Sequence, residues 1–177
     1  MASKGTQVIG IASGKGGVGK TSIAANLAVS LVMRRHRVML FDADMGLANA
    51  QLAFGCPTEF NLADVISGER TLDEIIVTTR QGVRLVPGGS GVQHLASLGA
   101  VAASGIIQAF SSLEEEIDYL IVDSAAGISD SVVTFMQACA KRLIVLCDEP
   151  TSVADAYGMI KVLTQTHSGE EIYPVSY

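Results

Sequence analysis

Charged side chains are scarce in this sequence. Asp, Glu, Lys and Arg make up 17% of its 177 residues, whereas hydrophobic residues make up 49%. Such a composition is typical of a chain that folds around a core, not of a disordered one. The hydrophobic residues are spread out, and no stretch reaches the roughly 18 consecutive apolar residues of a membrane span. The first five residues, MASKG, also lack the apolar centre of a secretory signal peptide. The sequence therefore predicts a cytoplasmic globular protein.

The sequence also has few cysteines and no net positive charge. Cys56, Cys139 and Cys147 are widely spaced and form neither a C-x-x-C pair nor a Cys/His cluster. This spacing indicates neither a zinc site nor a disulfide framework. The formal net charge is −6, which argues against broad nucleic-acid binding. The one basic run, residues 34–37, follows a helical pattern and is expected to lie at a helix C-terminus.

Short runs rich in Val, Ile and Leu alternate with helical patterns along the chain. The runs that predict buried parallel strands are residues 7–12, 37–41, 83–86, 119–122 and 143–147. Apolar residues at helical spacing predict helices through residues 23–32, 106–117, 132–140 and 153–163, with short helices at 62–66 and 72–77. Ser152 is the predicted cap of the last long helix. The alternation predicts one α/β domain over residues 1–177, with a doubly wound, mostly parallel sheet and helices on both faces.

One glycine-rich stretch lies between the first predicted strand and helix. Residues 14–21, GKGGVGKT, match the phosphate-loop pattern G-x-x-x-x-G-K-[ST]. Glycines let successive N–H groups turn toward phosphate oxygens, and the following helix adds the positive end of its dipole. Lys20 is expected to reach the β- and γ-phosphates, and the Thr21 hydroxyl to ligate Mg²⁺. The predicted binding residues of this loop are Gly14, Lys15, Gly16, Gly17, Val18, Gly19, Lys20, Thr21 and Ser22.

The phosphate-loop pattern does not require a lysine at position 15. Two lysines on one loop indicate extra neutralisation of γ-phosphate charge. The alternative is a solvated loop lysine, and spacing alone does not decide between these interpretations.

Acidic residues stand at the carboxyl ends of two of the predicted strands. Open sheets of this type bind their ligands at the carboxyl ends of the strands. Asp42 and Asp44 are two residues apart and so point to the same side of a strand. One is expected to hold a magnesium-bound water and the other to position the attacking water, unless the pair forms only a polar turn. Asp123 ends an apolar strand in the Walker B pattern of a magnesium ligand. Gly127 can bring a backbone N–H close to the γ-phosphate, although an ordinary strand–helix turn is the alternative.

A third acidic pair follows the run at residues 143–147. Asp148 and Glu149 can contact the base or sugar of a nucleotide. Equally, Pro150 and Ser152 indicate that this segment simply starts the next helix. The sequence leaves both interpretations open.

Taken together, the motifs resemble those of the MinD/ParA ATPases. Residues 15–21 resemble their deviant Walker A loop, in which the early lysine, here Lys15, is the signature residue. Residues 41–49 resemble their switch I, and residues 123–128 resemble their switch II. Within the family, residues 105–110, 125–133 and 147–152 are most similar to the FlhG/FleN branch, which controls flagellar number in bacteria. The resemblance runs from about residue 7 to residue 167.

The resemblance implies an activity and a set of partners. ATP with Mg²⁺ would drive formation of a face-to-face homodimer in which Lys15 reaches the partner subunit's phosphates. Lys15, Lys20 and Asp44 would be the catalytic residues, with Asp44 orienting the hydrolytic water, while Thr21, Asp42 and Asp123 would serve Mg²⁺. Hydrolysis would return the monomer, so the protein would be a slow switch. In the FlhG/FleN branch such a dimer restrains a flagellar transcription activator and opposes a flagellar GTPase of the signal-recognition type.

The last residues depart from the family pattern. Family members continue with further strands and helices that help to hold adenine and often end in an amphipathic membrane helix, whereas residues 169–177 match no such segment. The expected domain is therefore shorter at its C-terminus than the family pattern, and the resemblance does not extend to membrane association or to full adenine recognition. The alternative functions are a MinD-like ATPase that positions the cell-division site and a non-hydrolysing nucleotide-binding adaptor of a transcription factor. A small-molecule kinase is disfavoured because no acceptor-binding segment is visible.

Overall fold

A computed structural model of the chain describes residues 5–46, 48–89, 99–113, 116–166 and 171–176. Its strands are β1 Gln7–Ser13, β2 Val38–Ala43, β3 Val77–Thr78, β4 Arg84–Val86, β5 Tyr119–Ala126, β6 Lys141–Leu146 and β7 Glu171–Ser176. Its helices are α1 Lys20–Met33, α2 Ala50–Ala53, α3 Leu62–Ile66, α4 Leu72–Ile75, α5 Ala100–Ser111, α6 Asp130–Gln137 and α7 Pro150–Thr166.

The strands form one sheet in the order β3-β4-β2-β5-β1-β6-β7. All neighbouring strands are parallel except the short β3, which runs antiparallel to β4. The predicted fold class, a doubly wound and mostly parallel sheet, is thereby confirmed. Because β5 lies between β1 and β2, the carboxyl ends of these three strands meet at one edge. In this register Asp123 of β5 lies opposite both Ile11 of β1 and Asp42 of β2.

The central strands bury both of their faces, as parallel strands covered by helices must. Every residue of β2 is buried. Its side chains alternate, so that Val38 and Leu40 pack in the core beneath α1, while Met39 and Phe41 pack in the core beneath α5 and α6. Two hydrophobic cores, one on each face of the sheet, therefore hold β2 and the residues that follow it.

A buried cation closes the bottom of α6. Arg142 of β6 is 1% exposed, and its Nε donates a hydrogen bond to the carbonyl of Met136 at 2.5 Å. Its Nη2 donates to the carbonyl of Gln137 at 3.3 Å. The last carbonyls of a helix lack intrahelical donors and carry partial negative charge, so the guanidinium satisfies both needs. This contact fixes the C-terminal end of α6, which is the end farther along the chain from residues 127–129.

The five predicted strands are present, with ends that differ by up to four residues, the largest difference being at the end of β5. Several helix ends were predicted wrongly. Helix α5 ends at Ser111 and α6 at Gln137, short of the predicted positions 117 and 140. Helix α7 begins at Pro150, so Ser152 lies inside its first turn and is not the cap. The Ser152 hydroxyl instead accepts a hydrogen bond from the N–H of Cys147 at 3.0 Å.

Two strands were not predicted. Strand β3 has only two residues, too few for an alternation to be visible. Strand β7 falls in the tail that matched no family segment, and it pairs in parallel with β6 at the edge of the sheet. Its Pro174 argues against a central strand but is tolerated at an edge. No helix within the described residues has the length and apolarity needed to cross a membrane.

Candidate nucleotide-binding site

The loop between β1 and α1 curls because two of its glycines adopt a left-handed backbone. Gly17 has φ 77° and Gly19 has φ 81°, values that side-chain-bearing residues rarely adopt. The carbonyl of Gly19 accepts the first helical hydrogen bond, from the N–H of Ile23 at 3.0 Å. Val18 between them is 3% exposed and packs in the core under α1. The buried valine anchors the loop while the glycines turn the backbone around it.

A cavity of about 410 Å³ opens at the N-terminus of α1. The residues that line it are Gly16, Gly17, Gly19, Lys20, Thr21, Ser22, Asp44, Asn49 and Ala126. The cavity thus joins the loop to the segments that follow β2 and β5. Backbone N–H groups at a helix N-terminus, together with a lysine, form a complement to phosphate groups.

Lys20 is the cation of this cavity, and it is 9% exposed. Its burial lowers the pKa of the ammonium group, while the nearby carboxylates of Asp123 and Asp44 oppose that shift. A buried ammonium group is costly unless an anion compensates it. A phosphate group in the cavity would supply that compensation.

Asp123 and Thr21 are the residues best suited to hold Mg²⁺. Burial raises the pKa of Asp123 to about 6, although hydrogen bonding from the Thr21 side chain and the charge of Lys20 lower it. The Oδ1 atom of Asp123 is buried and has no hydrogen-bond partner in the described part of the chain. Mg²⁺ is usually held by one or two carboxylates, with phosphates and waters completing its octahedral shell. A carboxylate oxygen without a partner beside a hydroxyl fits that ion.

Asp42 organises the turn of residues 42–50, which we call the switch I turn. Its Oδ2 accepts hydrogen bonds from the N–H groups of Asn49 and Ala50, both at 2.9 Å, and its Oδ1 accepts from the N–H of Asp44 at 3.1 Å. Burial raises the pKa of Asp42 to about 7 despite these bonds. Since Asp42 is not among the residues that line the cavity and both of its oxygens bind the turn, its place in a magnesium shell stays a prediction.

Asp44 lines the cavity. The spacing of the two acids predicted that both would face the phosphate loop, but Asp42 is not among the lining residues. Its Oδ1 accepts a hydrogen bond from the N–H of Gly46 at 3.1 Å. This bond within the turn orients the carboxylate. Asp44 therefore differs from Asp42 in what it faces: Asp44 borders the cavity, whereas Asp42 faces the backbone of the turn.

Lys15 turns away from the cavity and pairs with the segment before α7. Its Nζ lies 2.6 Å from Oε2 of Glu149 and donates more weakly to the Thr151 hydroxyl at 3.5 Å. The hydrogen bond to Glu149 raises the pKa of Lys15. The segment at residues 148–152 therefore begins a helix, as one interpretation of the sequence stated. It also binds Lys15 of the phosphate loop, which neither interpretation stated.

Two further predicted residues, Gly14 and Gly127, lie against protein where phosphate contact was expected. A Cβ on Gly14 would lie 2.5 Å from the backbone of Asp155, so Gly14 lets α7 approach the loop. The N–H of Gly127 donates to the carbonyl of Ser13 at 2.9 Å. A contact of that N–H with a γ-phosphate would require the exchange of this bond. Neither these glycines nor Lys15 and Val18 are among the lining residues, and their roles in binding stay predictions.

Asn49 and Ala126 line the cavity but were not among the predicted site residues. An Asn just before a helix usually caps that helix with its side chain. Asn49 precedes α2 without a side-chain cap bond, because Asp42 accepts the first N–H groups of the helix instead. The side chain of Asn49 is thereby left at the cavity. The only signal in the sequence was its position within the segment that resembles switch I.

The strand–loop–helix cavity, with its buried lysine and adjacent acids, defines a phosphate-loop nucleotide-binding protein. A ParA family model, described as NUBPL iron-transfer P-loop NTPase, matches residues 4–168. The chain belongs to the ParA/MinD family of P-loop NTPases. The family resemblance of the motifs is confirmed.

Two curated relatives are flagellar proteins. The chain is 48% identical over 161 residues to the antiactivator FleN of Pseudomonas aeruginosa, covering 91% of the chain and 58% of FleN. It is 40% identical over 157 residues to the flagellum site-determining protein YlxH of Helicobacter pylori, covering 89% of the chain and 53% of YlxH. The chain thus spans somewhat more than half the length of these relatives.

The fold is also that of solved MinD structures. The septum site-determining protein MinD of Pyrococcus horikoshii, complexed with Mg-ADP, aligns with a TM-score of 0.81 at 29% identity. The match covers 94% of this chain and 68% of that one. A MinC:MinD complex from Aquifex aeolicus aligns with a TM-score of 0.79 at 27% identity, covering 97% and 68% of the two chains.

Proposed function

We propose that this protein is a slow, ATP-driven switch that binds and hydrolyses Mg-ATP, dimerises in the ATP state, and regulates flagellar number through a protein partner. The observation that carries the proposal is the buried Lys20 ammonium group, which shares one cavity with Asp44 and lies near Asp123. Cytoplasmic action fits a switch of this kind, because ATP is supplied there.

Binding depends on the loop. Gly16, Gly17, Gly19, Lys20 and Thr21 line the cavity. N–H groups of a glycine-rich loop at a helix N-terminus suit the phosphate chain, and the Lys20 ammonium group suits the β- and γ-phosphates. The Thr21 hydroxyl and the Asp123 carboxylate would hold Mg²⁺, with Asp42 supporting its shell from beneath. When bound, Mg²⁺ neutralises charge that develops on the phosphate oxygens.

Hydrolysis depends on the switch I turn. The carboxylate of Asp44 borders the cavity and is oriented by the Gly46 N–H, so it can orient a water against the terminal phosphate. Positioning and electrostatic stabilisation are the main contributions of a protein to phosphoryl transfer. The site offers one orienting carboxylate and a cradle of N–H groups, which suits a timed switch better than rapid turnover.

Dimerisation would use Lys15. In the single chain Glu149 holds its ammonium group 2.6 Å away, and the pair is partly exposed. An exposed ion pair contributes little to stability because solvent screens it, so it can exchange for a stronger phosphate contact. We assign Lys15 to the phosphates of the partner subunit, as the family resemblance implies.

The flagellar assignment rests on similarity. FleN is an antiactivator and YlxH a flagellum site-determining protein, and both exceed 39% identity to this chain. The proposed partners are accordingly a flagellar transcription activator and a flagellar GTPase of the signal-recognition type. The second candidate function is a MinD-like positioning ATPase of cell division, favoured by 32% identity to the septum site-determining protein MinD of Bacillus subtilis.

Sizing the protein by light scattering, with and without ATP and Mg²⁺, tests the switch. Wild type should shift from monomer to dimer when ATP and Mg²⁺ are both present. Lys15→Ala should bind ATP with affinity close to wild type yet stay monomeric. Lys161→Ala, which removes an exposed lysine of α7, is the matched control and should dimerise normally. Dimerisation of Lys15→Ala would contradict the role of Lys15 in the partner's site.

Phosphate release separates an enzyme from a non-hydrolysing adaptor. Asp44→Ala should lower ATP turnover by roughly 100-fold, since a general base or water-orienting group contributes about 10²–10⁴-fold. ATP affinity should change little. Asp73→Ala, which removes an exposed carboxylate on α4, should turn over ATP like wild type. Equal, background-level phosphate release by wild type and Asp44→Ala would favour the adaptor.

A further inference from the structure

The loop after β4 passes directly beneath the switch I turn. Residues 87–89, Pro-Gly-Gly, are all buried. A Cβ built on Gly88 would lie 2.6 Å from the carbonyl oxygen of Asp42, 2.9 Å from Cβ of Ala48 and 3.1 Å from the carbonyl oxygen of Asp44. Two of these three atoms belong to backbone, which cannot rotate away as a long side chain can. Any side chain at position 88 must therefore displace either the loop or the turn.

The loop itself has little room to retreat. The carbonyl of Pro87 accepts a hydrogen bond from the N–H of Leu62 at 3.0 Å. Leu62 is buried and begins α3, whose N-terminus is fixed by a reciprocal capping pair between Asn61 and Asp64. A larger residue at position 88 would thus press on a braced loop from one side and on the switch I turn from the other. The described residues between β2 and α2, 44–46 and 48–49, form neither strand nor helix, so the turn is the part expected to move.

The turn is held from both sides. From the inside, Asp42 binds the N–H groups of Asp44, Asn49 and Ala50. On its other side, Gly88 leaves no room for a side chain, because a Cβ on it would lie 2.6 Å from the carbonyl oxygen of Asp42 and 3.1 Å from that of Asp44. The direction of the Asp44 carboxylate follows from the position of this backbone, because its Oδ1 is bound to the Gly46 N–H of the same turn.

We infer that Gly88 is a positioning residue for ATP hydrolysis: its missing side chain lets the loop after β4 seat the switch I turn so that Asp44 faces the phosphate cavity. The inference builds on the proposed function but makes a separate claim about the turn. Gly88 does not line the cavity or belong to the phosphate loop. Enlarging it should therefore disturb hydrolysis more than nucleotide binding.

The test is a size series, Gly88→Ala and Gly88→Val, with Gly105→Ala and Gly105→Val as matched controls. A Cβ on Gly105, which is exposed on α5, would meet nothing within 4 Å. Hydrogen exchange of the amides of residues 44, 49 and 50 is measured on the nucleotide-free full chain. ATP affinity by calorimetry, turnover and melting temperature are measured on the same proteins.

Gly88→Val should speed exchange of these amides by at least tenfold, lower kcat by at least tenfold, and change the ATP dissociation constant by less than threefold. Gly88→Ala should fall between Gly88→Val and wild type, and the Gly105 variants should match wild type in amide exchange, turnover and ATP affinity. Their melting temperatures should change only through the helix propensity of the new residue. Unchanged amide exchange in Gly88→Val would overturn the inference, and so would parallel losses of affinity and turnover. If wild type itself shows no turnover, the proposed function fails, while the exchange measurement still decides whether Gly88 seats the turn.

Discussion

Strands β2 and β5 carry buried acidic residues toward their carboxyl ends, whereas a partly exposed acidic residue, Asp118, precedes β5 at the amino end. The two ends of these strands place their acids in opposite electrostatic environments. At the carboxyl end, Asp42 and Asp123 lie in register and are almost fully buried, and burial raises their pKa values to about 7 and about 6. At the amino end, Asp118 is in reach of Arg37, whose hydrogen bonds lower the pKa of Asp118 to about 2. The ionised form of aspartate is therefore disfavoured at the carboxyl end and favoured at the amino end.

The difference separates a functional arrangement from a structural one. At the amino end the guanidinium of Arg37 binds Asp118 at 2.8 Å and Glu116 at 2.5 Å, and all three residues stand at the surface. At the carboxyl end Asp123 has a buried oxygen without a partner in the described residues. Buried acids in raised-pKa environments at one edge of a sheet are typical of sites that take a cation. The protein tolerates their cost where the proposed magnesium nucleotide binds.

The largest effect is expected at the carboxyl end from Lys20→Ala. Removing one partner of a buried, hydrogen-bonded charge pair costs about 2–5 kcal/mol of binding, which is roughly 30-fold or more in affinity. Calorimetry should show that ATP affinity falls at least that far, with the circular dichroism of the folded protein preserved. Lys15→Ala serves as the control on the same loop. ATP affinity that stays at the wild-type level in Lys20→Ala would refute the phosphate role of Lys20.

Asp123→Asn tests the carboxyl end in a second way. It should stabilise the nucleotide-free protein but impair its Mg²⁺-dependent binding of ATP. The raised pKa of Asp123 already includes the attraction of Lys20, so the ionised carboxylate destabilises the nucleotide-free fold at pH 8. Removing its charge should raise the free energy of unfolding by roughly 1–3 kcal/mol, on the scale of about 1.4 kcal/mol per pKa unit. Urea unfolding without nucleotide measures this gain, and calorimetry should show that Mg²⁺ no longer strengthens ATP binding. A less stable variant would show that Asp123 is a structural residue.

The smallest effect is expected at the amino end, from acid. Because the folded-state pKa of Asp118 lies below its ordinary value, its contribution to stability is present above about pH 4. It should be lost as the pH falls from about 4 toward about 2. In Asp118→Asn the free energy of unfolding should fall less steeply over that interval, although the change is small because the pair is exposed. Identical slopes for variant and wild type would show that the pair contributes nothing measurable.

The sequence predicted the phosphate loop well because the pattern is local. Glycines, Lys20 and Thr21 are consecutive, and the strand and helix around them have clear periodicity. Asp44 and Asp123 were likewise visible as acids that follow apolar strands. Each of these residues is oriented by the strand, loop or helix that contains or directly adjoins it, so local sequence was sufficient to indicate it.

The rest depended on contacts between distant segments. The Lys15–Glu149 pair joins residues 134 positions apart, and no local pattern indicates it. The approach of Gly88 to Asp42 likewise depends on β4 lying beside β2, which only the folded sheet establishes. Asn49 was missed because an Asn before a helix predicts a cap, whereas Asp42 took that role. Edge strand β7 was missed because its exposed residues and Pro174 hide the alternation of a strand.

Titration of the folded chain with ATP and Mg²⁺ in a calorimeter tests the central claim most directly, since every assigned role requires the cavity at α1 to bind a polyphosphate. Saturable binding of one nucleotide per chain, lost in Lys20→Ala and kept in Lys15→Ala, is the predicted result. Folded wild-type protein that gives neither heat nor saturation at millimolar ATP would contradict it.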